Sequence, residues 1–111
     1  MDDGGREYFA AACLTPKETI MSQYMVERHL PGITPEQLTA AASRAKAVTA
    51  KLTDEGKPVR YLRSTFVPSE EKSFCLFEAP SAERVREANV LAEIPLLRII
   101  EVAHIAADDL A

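Results

Sequence analysis

Glu27, Glu78 and Glu101 are carboxylates set within or at the end of otherwise apolar runs, and Arg28, Arg60, Arg63 and Arg98 are the cations available to them. An interior carboxylate needs a partner, so these residues either pair with one another or frame a ligand site. Glu27 and His29 stand two residues apart, on one face of any strand that holds them, with side chains roughly 7 Å apart. That spacing suits proton transfer or, with further donors, a divalent metal. The plainer reading leaves His29 half exposed at a strand end and pairs Glu27 with an arginine. Tyr61, Ser64, Phe66, Phe74 and Phe77 supply hydroxyl and aromatic surface for a small cavity, or for ordinary core packing. Strand alternation puts Arg63 on one face with Tyr61 and Thr65, where it is expected to meet Glu27 or Glu78 in an ion pair or to take an anionic ligand. The expected binding site therefore comprises Glu27, Arg63, Glu78, Tyr61 and Ser64, with His29 as the candidate metal ligand.

Other chemistries lack their residues. There is no phosphate-cradling glycine loop, no Ser/His/Asp set and no His-Glu-x-x-His. The two cysteines, Cys13 and Cys75, show no metal-ligand spacing. Cys75 lies in an apolar strand and reads as a small buried hydrophobe rather than a reactive thiol. His104, near the C-terminal end, is expected to face solvent. A net charge of -4 supplies no excess to neutralise phosphates, so neither nucleic acid nor an anionic membrane is an expected partner. No apolar run approaches the ~20 residues that span a bilayer. The start, Met1-Asp2-Asp3-Gly4-Gly5, is acidic where a secretory signal is basic. The expected location is cytoplasmic.

The elements that must position these residues follow from periodicity. The 111 residues are 47% apolar and 27% charged, as in a soluble single domain. A first strand spans about 23–30, with Tyr24, Val26, Arg28 and Leu30 on one face and Met25, Glu27 and His29 on the other. Thr34, Pro35 and Gln37 then form a capping-box helix start. The stripe Leu38, Ala41, Ala45, Val48, Leu52 follows in steps of three and four, and its alanines allow close approach to a sheet. Gly56 and Pro58 end that helix. Strands over about 59–67 and 72–78 form a hairpin around a polar turn at 68–71. Ser81 caps a second helix with the stripe Val85, Ala88, Leu91, Ala92. A last strand covers 97–105. Residues 1–21 lack this periodicity and read as a mobile extension to a domain over 22–106; 107–111 read as a frayed tail.

Both parities of the third and fourth strands are partly apolar. A sheet with one wet face alternates more cleanly. Two helices in this order cover one face only, so the other is expected to be buried against a second copy of the chain.

Tyr24-Met25-Val26-Glu27-Arg28, Thr34-Pro35-Glu36-Gln37-Leu38, Lys72-Ser73-Phe74-Cys75-Leu76-Phe77-Glu78-Ala79-Pro80 and Ile100-Glu101-Val102 together resemble the DUF4242 family. These are small ferredoxin-like proteins found often in actinobacteria, and one branch is described as nickel-binding. The resemblance covers about residues 22–103. It implies a ferredoxin-like fold and, for that branch, histidines before the serine of the second strand and early in the second helix. Arg63 and Ala88 stand at those positions here. A guanidinium stays protonated and alanine has no donor atom, so the implied metal site has lost two ligands.

The sequence thus predicts an α+β ferredoxin-like βαββαβ sandwich, sheet order 4-1-3-2, with both helices on one face. The expected function is that of a small soluble homodimeric binding protein with a polar site on the sheet and no cofactor. The alternatives are a nickel-binding protein and a cofactor-free enzyme of the dimeric ferredoxin-like type acting on a small hydrophobic substrate.

Overall fold

The computed structural model describes residues 20–111; the expected mobile extension over 1–21 falls almost wholly outside them. Strand β1, Ser22–His29, leads through a turn at Gly32 into helix α1, Pro35–Asp54. The predicted capping box is formed: the Thr34 hydroxyl accepts from the Gln37 amide, and the Gln37 side chain accepts from the Thr34 amide. Gly56, at φ +85°, turns the chain out of the helix in the left-handed region that glycine enters without strain. Strand β2, Arg60–Val67, and strand β3, Lys72–Ala79, flank a 3-10 turn at Pro68–Glu70. Helix α2, Ala82–Leu91, is capped by Ser81, whose hydroxyl accepts from the Arg84 amide. Strand β4 covers Arg98–Val102.

The sheet is antiparallel throughout, in the order β2-β3-β1-β4, which is the predicted order read from its other edge. The α+β sandwich with this order is therefore the observed fold. Strand β4 is shorter than the 97–105 expected, because only Gln23 to Glu27 of β1 offer it partners. Beyond Val102 an exposed tail includes one 3-10 turn at Ala107–Asp109.

Both helices lie on one face. There, Tyr24 and Val26 of β1 and Cys75, Phe77 and Ala79 of β3 pack against Ala45 and Leu52 of α1 and Val85, Ala88 and Ala92 at α2. Phe77, 1% exposed, is the largest side chain to be sealed off in full; burying a ring of that size is worth about 1.5–3 kcal/mol. The α2 stripe departs from expectation at one position. Leu91 is 56% exposed, and the inward place belongs to Asn89, 1% exposed. A buried amide must find partners, and Asn89 is held by them on both sides, as described below.

Register fixes which residues share a face. On the helix side, Tyr61 stands opposite Phe77, Ser64 opposite Cys75, and Ser73 opposite Arg28. On the open side, Arg63 stands opposite Leu76, Thr65 opposite Phe74, and Glu27 between Phe74 and Arg98. A β-bulge separates Tyr61 from Arg63, with Leu62 as the extra residue. It corrects the expected alternation: Tyr61 and Arg63 project from opposite faces, and Ser64 joins Tyr61 on the helix side.

Candidate functional site

The expected site residues divide between the two faces. Glu27, Arg63, Glu78 and His29 occupy the open face, while Tyr61 and Ser64 occupy the helix face. Among the described residues, Arg63 is exposed and has no carboxylate partner, so the expected ion pair with Glu27 or Glu78 is not formed. Glu78 is taken by Arg60 at 3.2 Å. Glu27 is taken by Arg98 at 2.6 Å and Lys72 at 3.1 Å. These pairings follow from cross-strand geometry, since Arg98 is the direct partner of Glu27 on β4 and Arg60 that of Glu78 on β2. His29 ends β1 exposed, opposite Lys72. Phe74 points to the open face with Glu27 and lines no cavity under the helices.

A different set of polar residues converges beneath α1. Arg28 is 2% exposed. Its Nε donates to Cys75 Sγ at 3.3 Å, its Nη1 to the Pro95 carbonyl at 3.1 Å and its Nη2 to Asn89 Oδ1 at 2.6 Å. The Asn89 amide nitrogen donates in turn to the Val85 carbonyl at 2.7 Å, which fixes its orientation. Cys75 Sγ also lies 3.0 Å from Ser64 Oγ and 3.4 Å from Ser73 Oγ, and the Tyr61 hydroxyl is hydrogen-bonded to Ser64. The bulge at Leu62 makes that last bond feasible, by bringing residues three apart onto one face.

These groups edge a narrow cavity whose space for a water-sized sphere is about 20 Å³, room for about one water molecule. Arg28, Tyr61, Ser64, Ser73 and Cys75 line it from the sheet, and Leu38, Ala41, Ala42 and Ala45 of α1 roof it; the surface turned toward the space is mostly apolar. The alanines expected to bring α1 close to the sheet do so at Ala45, and they also leave the space above the floor. Ser73 and Cys75 are buried, while Ser64 is exposed and marks the mouth.

The charge in this cavity is unusual. Among the described residues Arg28 faces no carboxylate. Withdrawing a guanidinium from water costs several kcal/mol. Arg28 meets that cost with three hydrogen bonds from a charged donor, one of them to a weakly accepting sulfur. Two of its five N–H groups remain without a described acceptor. Sequence reasoning treated Arg28 only as a free cation. The signal was its parity: it shares a face with Tyr24 and Val26, the buried side of β1.

The Glu27 cluster differs in kind. The Arg98 hydrogen bond, then the Lys72 contact, hold the Glu27 carboxyl below its ordinary value of 4.5, against a smaller opposing effect of burial. Its folded pKa is depressed, so the triad's contribution to stability is complete above pH 4.5. It is lost as pH falls through the folded value. Urea midpoints of wild type and Glu27→Gln, taken between pH 7 and pH 2, are expected to differ most at neutral pH and to converge at the acid end. Parallel curves across that range would remove Glu27 from the acid response.

Comparison with known proteins agrees with this fold. Residues 24–102 match the family described as nickel responsive protein SCO4226-like. The crystal structure of SCO4226 from Streptomyces coelicolor A3(2) is similar, with a TM-score of 0.64 and 29% identity, over 77% of this chain and 100% of that one. No curated protein matches the chain. This family is consistent with the DUF4242 resemblance of the sequence.

Proposed function

The chain belongs to the family of nickel responsive SCO4226-like proteins, and on that premise we propose that it is a small binding protein whose ligand is a compact organic anion held by Arg28 under α1. One observation carries this reading: a guanidinium 2% exposed, lining a cavity and facing no described carboxylate. Its two spare N–H groups suit the paired oxygens of a carboxylate. The Ser64, Ser73 and Tyr61 side chains line the same space. The space open to a water-sized sphere is about 20 Å³, far below the range of drug-sized sites, so the ligand has no more than a few heavy atoms.

The nickel in the family description finds a poor donor set here. No group of three His, Cys, Asp or Glu residues gathers among the described residues. His29 is exposed and alone, and both Glu27 oxygens are engaged by cations. Arg63 and Ala88 bring no donor of their own. The enzyme reading wants a displaced acid or base inside the cavity, whereas Glu27 lies on the other face of the sheet.

The test is titration calorimetry with formate and acetate, each at fixed ionic strength. The wild type is expected to bind one equivalent, and Arg28→Met to lose the heat at least tenfold in affinity while remaining folded by circular dichroism. Equal binding by both proteins would remove the anion from this cavity. In the same cell Ni²⁺ is expected to give no stoichiometric heat; a tight site that vanished in His29→Ala would bring the metal reading forward.

A second reading concerns assembly. Leu76, Met25 and Ile100 form a row on the open face, where Leu76 is already 4% exposed within the chain and Met25 and Ile100 are half-buried, and no described helix covers it. Phe74 and Val102 extend that row as half-buried neighbours. Pairing of two copies through this face accounts for the row. Light scattering at micromolar concentration is then expected to give twice the 12.2 kDa chain mass, and a monomer mass would count against it.

A further inference from the structure

Both edges of the sheet lie open. In the order β2-β3-β1-β4, no described strand flanks β2 on one side or β4 on the other. Rows of unpaired N–H and C=O groups invite a further strand. The two edges differ in length. Strand β2 has eight residues, Arg60–Val67, and β4 has five, Arg98–Val102. The residues after β4 keep the character that predicts a strand as far as 105. Yet residues 103–111 are all exposed, Ile105 at 79%. Ala103, His104 and Ile105 take part in none of the described loop hydrogen bonds. A strand from Arg98 to Ile105 would have the eight residues of β2.

We propose that residues 103–105 extend β4 of one copy into a strand that pairs with β2 of a second copy. The inference rests on the pairing of open faces proposed above. A two-fold axis lying between those faces and along the strands carries β4 of each copy to the β2 edge of the other. Strands β2 and β4 run in opposite directions, because β2 is antiparallel to β3, β3 to β1 and β1 to β4. The axis preserves that relation, so the new pair is antiparallel and both edges gain partners.

Alternation decides where the side chains fall. Ile99 stands opposite Val26 on the helix side, so a continued strand places Ala103 and Ile105 on that side too. There an open trench runs between α1 and β2, lined by Thr49, Ala50, Thr53, Val59 and Tyr61. An antiparallel match of eight residues sets the second copy's Ile105 beside Arg60, at this trench. Its Asp108 and Asp109 then lie toward the exposed Lys57 and Arg60, which supplies charge complementarity. The cations also disfavour β2 pairing with another β2, since the register that joins most of that strand sets Arg63 close to its own copy.

The test combines amide hydrogen exchange with sedimentation equilibrium on the full chain, on Ile105→Asp and on His104→Pro. Both positions are exposed in the single chain, so neither substitution disturbs its fold. The wild type is expected to be a dimer in which at least one amide among Ala103, His104 and Ile105 is protected, with the protection lost on dilution. Both variants are expected to weaken the dimer at least tenfold. Free exchange at all three amides, or a dimer that both variants hold as tightly as wild type, would overturn the pairing of this segment with β2. The wild-type mass then decides separately whether the pairing of open faces stands. Protected amides in a wild-type monomer would place the segment on its own chain and overturn both.

Discussion

One buried cation organises the helix side of this protein. Arg28 reaches from β1 to Cys75 on β3, to Asn89 on α2 and to the Pro95 carbonyl ahead of β4. Few side chains touch so many elements, and this one is charged. Apolar residues of similar length would fill the same volume without the cost of desolvation, and such replacements are often neutral or stabilising in other proteins. The position therefore holds a costly group that three hydrogen bonds satisfy. The rest of the site depends on it. Asn89 takes an inward place on α2 and receives Nη2, and Cys75, itself a member of the helix-side core, accepts from Nε.

The two faces of the sheet solve opposite electrostatic problems. On the open face Glu27 and Glu78 are both answered by cations: Glu27 lies between Arg98 and Lys72, and Glu78 meets Arg60. That arrangement is a structural pairing, and its lowered carboxyl pKa reflects hydrogen bonding to cations rather than preparation for proton transfer. On the helix face Arg28 has no carboxylate partner among the described residues, beside a narrow space roofed by small alanines. Perturbed groups often mark function, but here the more telling feature is a cation lacking its anion.

Much of the fold was legible in the sequence. Thr34-Pro35 and Gln37 announce the start of α1, Ser81 that of α2, and the polar turn after Val67 the β2–β3 hairpin, because each depends on local backbone chemistry. The sheet order follows from the βαββαβ sequence of elements. The site was less legible. Leu62 looks like any strand residue, and nothing local reveals that it is the extra member of a bulge; yet it moves Arg63 off the face of Tyr61 and places Ser64 on it. Asn89 reads as an outward polar residue until Arg28 is set against it. Leu91, the apolar choice by periodicity, is displaced for the same reason. Arg28 itself was readable, since alternation put it inward with Tyr24 and Val26.

The central claim is that the Arg28 guanidinium is fixed in the cavity with hydrogen-bonding capacity to spare for an anion. Proton–nitrogen NMR of the arginine Nε–H group tests this directly, with Arg28 assigned by its loss in Arg28→Met. The account predicts one Nε–H resonance protected from exchange with water, set apart from those of exposed arginines, and shifting saturably as formate is added at constant ionic strength. A resonance that exchanges as fast as the exposed arginines, or that stays fixed through the titration, would contradict it.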